Sequence, residues 1–145
     1  MAYGPRESRP RVLHGAHRQP SNGANLPFFD GINNGSRHIF TSDNDRDFWE
    51  AFAGAELEGS SADGDLHVFD ILFDGPDSRI IVDDTTVASG DVGSQGLDGF
   101  RFGGNFNAGN LTPVDALEIL YYPMDKSSQA SAIRGYLNRE YNVLG

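Results

Sequence analysis

Residues 64–104 read GDLHVFDILFDGPDSRIIVDDTTVASGDVGSQGLDGFRFGG, and their spacing decides the fold. In LHVFDILF, His67, Phe69, Ile71 and Phe73 fall on one face of an extended chain, while Leu66, Val68 and Leu72 share the other with Asp70. The reason is that successive side chains of a strand alternate sides. Apolar residues on both faces predict a central strand. The next runs, SRIIV and TTVAS, are joined through Asp83 and Asp84, residue types that tolerate the tight turn of a hairpin. Phe100 and Phe102 share a face in GFRFGG, as do Leu117, Ile119 and Tyr121 in VDALEILYY. Those two faces are expected to meet in the core.

Outward from this stretch, short β-type runs lie near 37–41, 47–57, 65–74, 78–83, 85–89, 97–103 and 113–122, separated by Gly, Asn, Asp and Pro. That spacing predicts an all-β sandwich or barrel. The period then changes. Ala130, Ile133, Leu137 and Tyr141 recur at three- and four-residue steps, which predicts an amphipathic helix over 127–142 with Ser127 or Ser128 capping its start. At the other end, residues 1–27 hold Pro5, Pro10, Pro20 and Pro27 and no apolar period. They read as an extended N-terminal arm ahead of a sandwich spanning 28–145.

The 145 residues suit one domain, and 38% hydrophobic content with ten Phe supplies a core. The formal charge is −10, but Arg6, Arg9, Arg11 and Arg18 stand in the arm against Glu7 alone. Residues 28–145 therefore carry 20 acidic against 7 basic side chains, a formal −13. Such a body repels DNA or RNA, because nucleic-acid binding depends on Lys and Arg neutralising phosphates. There is no Cys, which excludes disulfides, thiol nucleophiles and thiolate metal sites. No apolar run is long enough for a membrane helix, and residues 1–20 lack the apolar middle of a secretory signal. No partner membrane or nucleic acid is expected.

The ordered pieces resemble a known family. Residues 64–104 are similar to the central part of concanavalin A-like and laminin-G-like jelly rolls: a histidine-bearing strand, an FDG turn, an S-R-x-x-V-D hairpin and a strand ending in Gly. LPFFDGINNG (26–35) resembles the early strand and turn of these domains. VDALEILYYPMDKSSQASAIRGYLNREYNVLG (114–145) resembles their closing strand and helix. The interval between FDGINNG and HVF is shorter than such domains carry. The resemblance implies an antiparallel jelly-roll β-sandwich of the type found in phage virions and bacterial surface proteins. In that setting the chain is expected to be a non-catalytic virion structural protein, a capsid-decoration or tail-associated subunit. It would form a homo-oligomeric assembly on the major capsid or tail protein, binding through the arm, with Arg6, Arg9, Arg11 and Arg18, and through the sandwich. The alternative is a lectin-like module for a cell-surface glycan.

Candidate chemistry is sparse. Glycoside hydrolysis needs two carboxylates across one sugar bond; Glu118 with Asp115, or Glu56 with Glu58, are the nearest candidates and read more simply as solvated residues. No catalytic residue and no cofactor is expected. Calcium could draw oxygen ligands from Asp43, Asp45 and Asp47 or from Asp83 and Asp84, which otherwise read as acidic surface loops. His14 and His17 lack a third ligand for zinc. His67 reads as a hydrogen-bonded core histidine. For a sugar, whose apolar face stacks on a ring while its hydroxyls need amides or carboxylates, the candidates are Trp49 and the loop Asn105-Phe106-Asn107. A single Trp is more often core than surface.

Overall fold

The computed structural model describes residues 11–13, 26–35, 39–43, 48–63, 65–109, 111 and 114–144. They form two five-stranded antiparallel sheets packed face to face, with one helix near the C-terminal end. The strands are β1 (Arg11–Leu13), β2 (Leu26–Asp30), β3 (Ile39–Asp43), β4 (Phe48–Phe52) and β5 (Glu56–Ser61). They continue with β6 (Phe69–Leu72), β7 (Ser78–Val82), β8 (Thr85–Gly90), β9 (Arg101–Phe102) and β10 (Leu120–Tyr122), and the helix is α1 (Ala130–Tyr141). One sheet has the order β10-β1-β6-β7-β8 and the other β5-β4-β3-β2-β9. The expected all-β sandwich with a closing helix is what the chain forms.

The two-residue period of LHVFDILF sets the middle of the first sheet. Phe69, Ile71 and Phe73 point inward at 0% exposure and meet Phe28 and Trp49 from the facing sheet. Ring pairs build this centre: Phe69 lies 4.7 Å from Trp49 in an edge-on arrangement, and Phe28 lies 5.7 Å from Trp49. The turn from β6 into β7 is held by Ser78, whose hydroxyl accepts from the Asp74 N–H (2.8 Å) and donates to the Gly75 carbonyl (2.7 Å). At the β7–β8 turn, Asp83 and Asp84 both adopt left-handed backbone, φ 48° and 67°. Their backbone twist matches that of the flanking strands.

Three sequence expectations change. The run 47–57 is not one strand but the β4–β5 hairpin, broken at Gly54, whose φ of 113° suits glycine. The break is occupied from outside: Ala53 and Ala55 N–H groups donate to the Val92 carbonyl (2.8 and 3.0 Å), and the Gln95 N–H donates to the Ala53 carbonyl (2.7 Å). Gly93 permits this approach, since a Cβ there would sit 2.5 Å from the Ala53 oxygen. The short interval after FDGINNG thus holds β3, β4 and β5.

The second change concerns the arm. Residues 11–13 are β1, a strand between β6 and β10: Arg11 pairs with Leu72 and Tyr122, and Val12 with Ile71 and Tyr121. Part of the segment read as an extended arm thus lies in a sheet; β2 likewise starts at Leu26. The sequence hid β1 because three residues are too few to show a period, and their partners lie about 60 and 110 positions away. The third change is the cap. Neither serine caps α1; Ser127 opens a preceding 3-10 turn whose N–H donates to the Asp125 carboxylate (2.7 Å).

Helix α1 covers the outer face of β6. Leu137, 3% exposed, packs on Val68 with Ile133, Tyr136 and Leu120 around them, while Tyr141 stays 37% exposed. Leu137→Ala is expected to cost about 2–5 kcal/mol, because it removes buried methyl groups and leaves a cavity. Chemical denaturation would measure the loss, and a variant as stable as the parent would show that this contact contributes nothing.

Candidate functional site

The rim at the end of β2 is built around one carboxylate. Asp30 is fully buried; its Oδ1 accepts from the Gly31 N–H (2.7 Å) and its Oδ2 from the Phe106 N–H (2.8 Å). A buried carboxylate is stable only when such donors replace water, so the loop after β9 is fastened to β2 through Asp30. The ladder continues above the strand, as the Gly103 N–H donates to the Phe28 carbonyl (2.8 Å). Within the loop, Ala108 N–H donates to the Asn105 carbonyl (3.0 Å), and Gly109 N–H to the Asn107 side-chain oxygen (3.0 Å). Asn107 is exposed and Asn105 and Phe106 half-buried. The Asn105 side-chain oxygen is buried and finds no donor among the described residues.

Two aromatic rings flank this rim that sequence periodicity assigned to the core. Phe100 is 38% and Phe102 37% exposed, and Phe100 stacks on the buried Phe29 with centroids 5.1 Å apart and planes 23° apart. Leu117 and Tyr121, expected to meet them inside, are each 46% exposed, while Ile119 of the same face is partly buried against the core. The expected contact fails because β9 is a two-residue strand at the edge of its sheet and β10 is an edge of the other. An edge strand has cover on one flank only. Trp49 is the converse: at 1% exposure, walled by Phe28, Phe69 and His67, it offers no face to a sugar. The exposed Phe rings take its place beside the Asn105–Asn107 loop as candidate stacking surfaces.

The second polar cluster lies at the β7–β8 turn. His67 stands edge-on to Trp49 and Phe69, with Nδ1 2.5 Å from Asp83 Oδ2 and Nε2 2.6 Å from Asp63 Oδ1. Burial pulls the imidazole pKa down, but the hydrogen bonds and charges of Asp63 and Asp83 outweigh it and the net shift is upward. Asp84 accepts from Arg134 Nε (2.5 Å), and Arg134 also donates to the buried Asp70 (2.7 Å). The carboxylates proposed for calcium at this turn are thus engaged with His67 and Arg134. Among the described residues no group of three or more His, Asp or Glu is arranged to hold a metal ion. Asp45, Asp47, His14 and His17 lie outside the described residues, and Asp43 is described only as a position in β3.

The carboxylates weighed for hydrolysis have other neighbours in the fold. Glu118 accepts from the Tyr136 and Tyr141 hydroxyls (3.2 and 2.9 Å), which makes it an anchor for α1. Asp115 lines a shallow groove with Leu66, Val114, Ala116 and Leu117. Glu56 lies opposite Phe52, and Glu58 lies opposite Glu50, a cross-strand pairing that no spacing along the chain discloses. Of the four arginines assigned to partner binding, Arg6, Arg9 and Arg18 lie outside the described residues and Arg11 belongs to β1.

Fold and rim together define a β-sandwich with a loop-borne candidate binding surface. No family model and no curated protein sequence matches the chain. Among solved structures, the "putative carbohydrate binding protein" of Bacteroides ovatus superposes with a TM-score of 0.63 at 14% identity. The match covers 83% of this chain and 39% of the Bacteroides chain, so this chain spans well under half that protein's length. At this identity the likeness is one of fold.

Proposed function

We propose that the protein is a non-catalytic carbohydrate-binding module that takes a sugar at the rim formed by Asn105, Phe106 and Asn107 with the exposed rings of Phe100 and Phe102. The observation that carries this reading is the loop itself: the exposed amide of Asn107 stands with the exposed rings of Phe100 and Phe102 on a loop fastened from beneath by the buried Asp30. A sugar needs both, a ring for its apolar face and amides for its hydroxyls. The name borne by the Bacteroides protein of similar fold adds support.

Glycan-array screening of the full chain should find a ligand. Phe106→Ala and Asn107→Ala should then each lower affinity about tenfold, equivalent to roughly 1.4 kcal/mol, with the melting temperature unchanged. Failure of every glycan, or binding by both variants as tight as the parent's, refutes the reading. Cosedimentation with phage capsids or tails tests the rival proposal of a virion subunit. Hydrolysis of a bound glycan that disappears in Glu50→Gln or Glu58→Gln would overturn the non-catalytic assignment.

A further inference from the structure

The ring of His67 joins two parts of the chain that the ladders do not join. Both of its nitrogens face carboxylate oxygens, Nδ1 toward Asp83 and Nε2 toward Asp63. Carboxylates only accept, so both ring nitrogens donate, and only the imidazolium carries two N–H groups. The side chain is 12% exposed, so these contacts are little screened. Neutralising the ring leaves one N–H and sets a lone pair against one of the carboxylates.

The two sides are held unequally. Asp83 belongs to the β7–β8 turn, where its Oδ1 also accepts from the Val68 N–H (2.9 Å) and its own N–H donates to the Val68 carbonyl (3.0 Å). Asp63 is 54% exposed against 33% for Asp83, and it accepts locally from the Asp65 N–H (2.9 Å). Water can replace His67 at Asp63 far more readily than at Asp83. We propose that His67 is a pH-sensitive tie: charged, it clasps the Asp63 segment to the β7–β8 turn, and neutral, it keeps Asp83 and lets Asp63 go, loosening the adjoining Leu66 wall of the groove at 114–117.

The charged groups around the ring are consistent with this order of release. Asp63 and Asp65 belong to its own segment, and Asp83 and Asp84 to the turn. From α1, Arg134 engages Asp84 and Asp70. Trp49 and Phe69 close the inner side without charge. The folded-state pKa lies above the unfolded value of about 6.5. A raised histidine pKa adds stability that is complete below the unfolded value and is lost as pH rises through the folded one.

NMR titration of the histidine ring protons in the full chain tests this directly. His67 should titrate above 6.5, and Asp63→Asn should lower that midpoint without unfolding the protein. The melting temperature should fall as pH rises through the His67 midpoint, and His67→Gln should flatten that fall. Exchange of the Leu66 amide should speed up beyond its intrinsic pH dependence across the same window. A His67 midpoint at or below 6.5, a midpoint unmoved by Asp63→Asn, or parallel melting profiles for parent and His67→Gln would each overturn the proposal. Should His67→Gln fail to fold, the Asp63→Asn titration decides alone.

Discussion

Removing residues 1–24 is expected to unfold the protein, or to leave it without a cooperative melting transition. The segment contains β1, which pairs with β6 on one side and β10 on the other. Without it, β6 and β10 stand two strand spacings apart, about 9.5 Å, and backbone N–H and C=O groups on both lose their partners. Buried unpaired backbone groups cost about 1–3 kcal/mol each, and several lost at once are comparable with the 5–15 kcal/mol that typically stabilises a domain's folded state. Circular dichroism and amide dispersion of the truncated chain would test this. A point variant isolates the cause: Val12→Pro removes a ladder donor inside the sheet, and its melting temperature should drop. A truncated chain that melts cooperatively at the parent temperature would place β1 outside the sheet's stability.

Arg134→Ala should cost about 3–5 kcal/mol, the range found when one member of a buried ion pair is deleted. Asp70 has 0% exposure and lies on the helix-facing side of β6, where Arg134 reaches it at 2.7 Å while also holding Asp84. Removing the guanidinium leaves Asp70 buried without its cation. Most of the loss is therefore desolvation cost and not lost attraction. The double variant Asp70→Leu with Arg134→Met should recover most of it, since an apolar pair of similar volume has no charge to solvate. A denaturation cycle of the two singles and the double measures the coupling. A loss below about 1 kcal/mol for Arg134→Ala would place the pair among exposed salt bridges that contribute little.

Asp70 also shows how an irregularity in a pattern is resolved. In LHVFDILF it interrupts an otherwise apolar face, and nothing within 66–73 accounts for it. Its counterpart is 64 positions away on α1. The same separation governs the tie at His67, whose two carboxylates lie 4 and 16 positions away, only the nearer of them within reach of local reasoning.

What the amino-acid sequence determined by itself is whatever depends on neighbours within a few residues. The alternation in 66–73 placed Phe69, Ile71 and Phe73 inward, the Asp83-Asp84 pair marked the hairpin, and the three- and four-residue steps of Ala130, Ile133 and Leu137 placed the helix. What only the tertiary structure decided is which strand stands at an edge and which side chains meet across the fold. Arg11–Leu13 became an interior strand because β6 and β10 flank it, and Trp49 lost its candidacy because Phe28, Phe69 and His67 enclose it. Phe100 and Phe102 came to the rim because β9 has a neighbour on one side alone. Local spacing fixes the faces of an element, but burial and charge pairing are settled when two sheets close on each other, through contacts whose partners are distant in the chain.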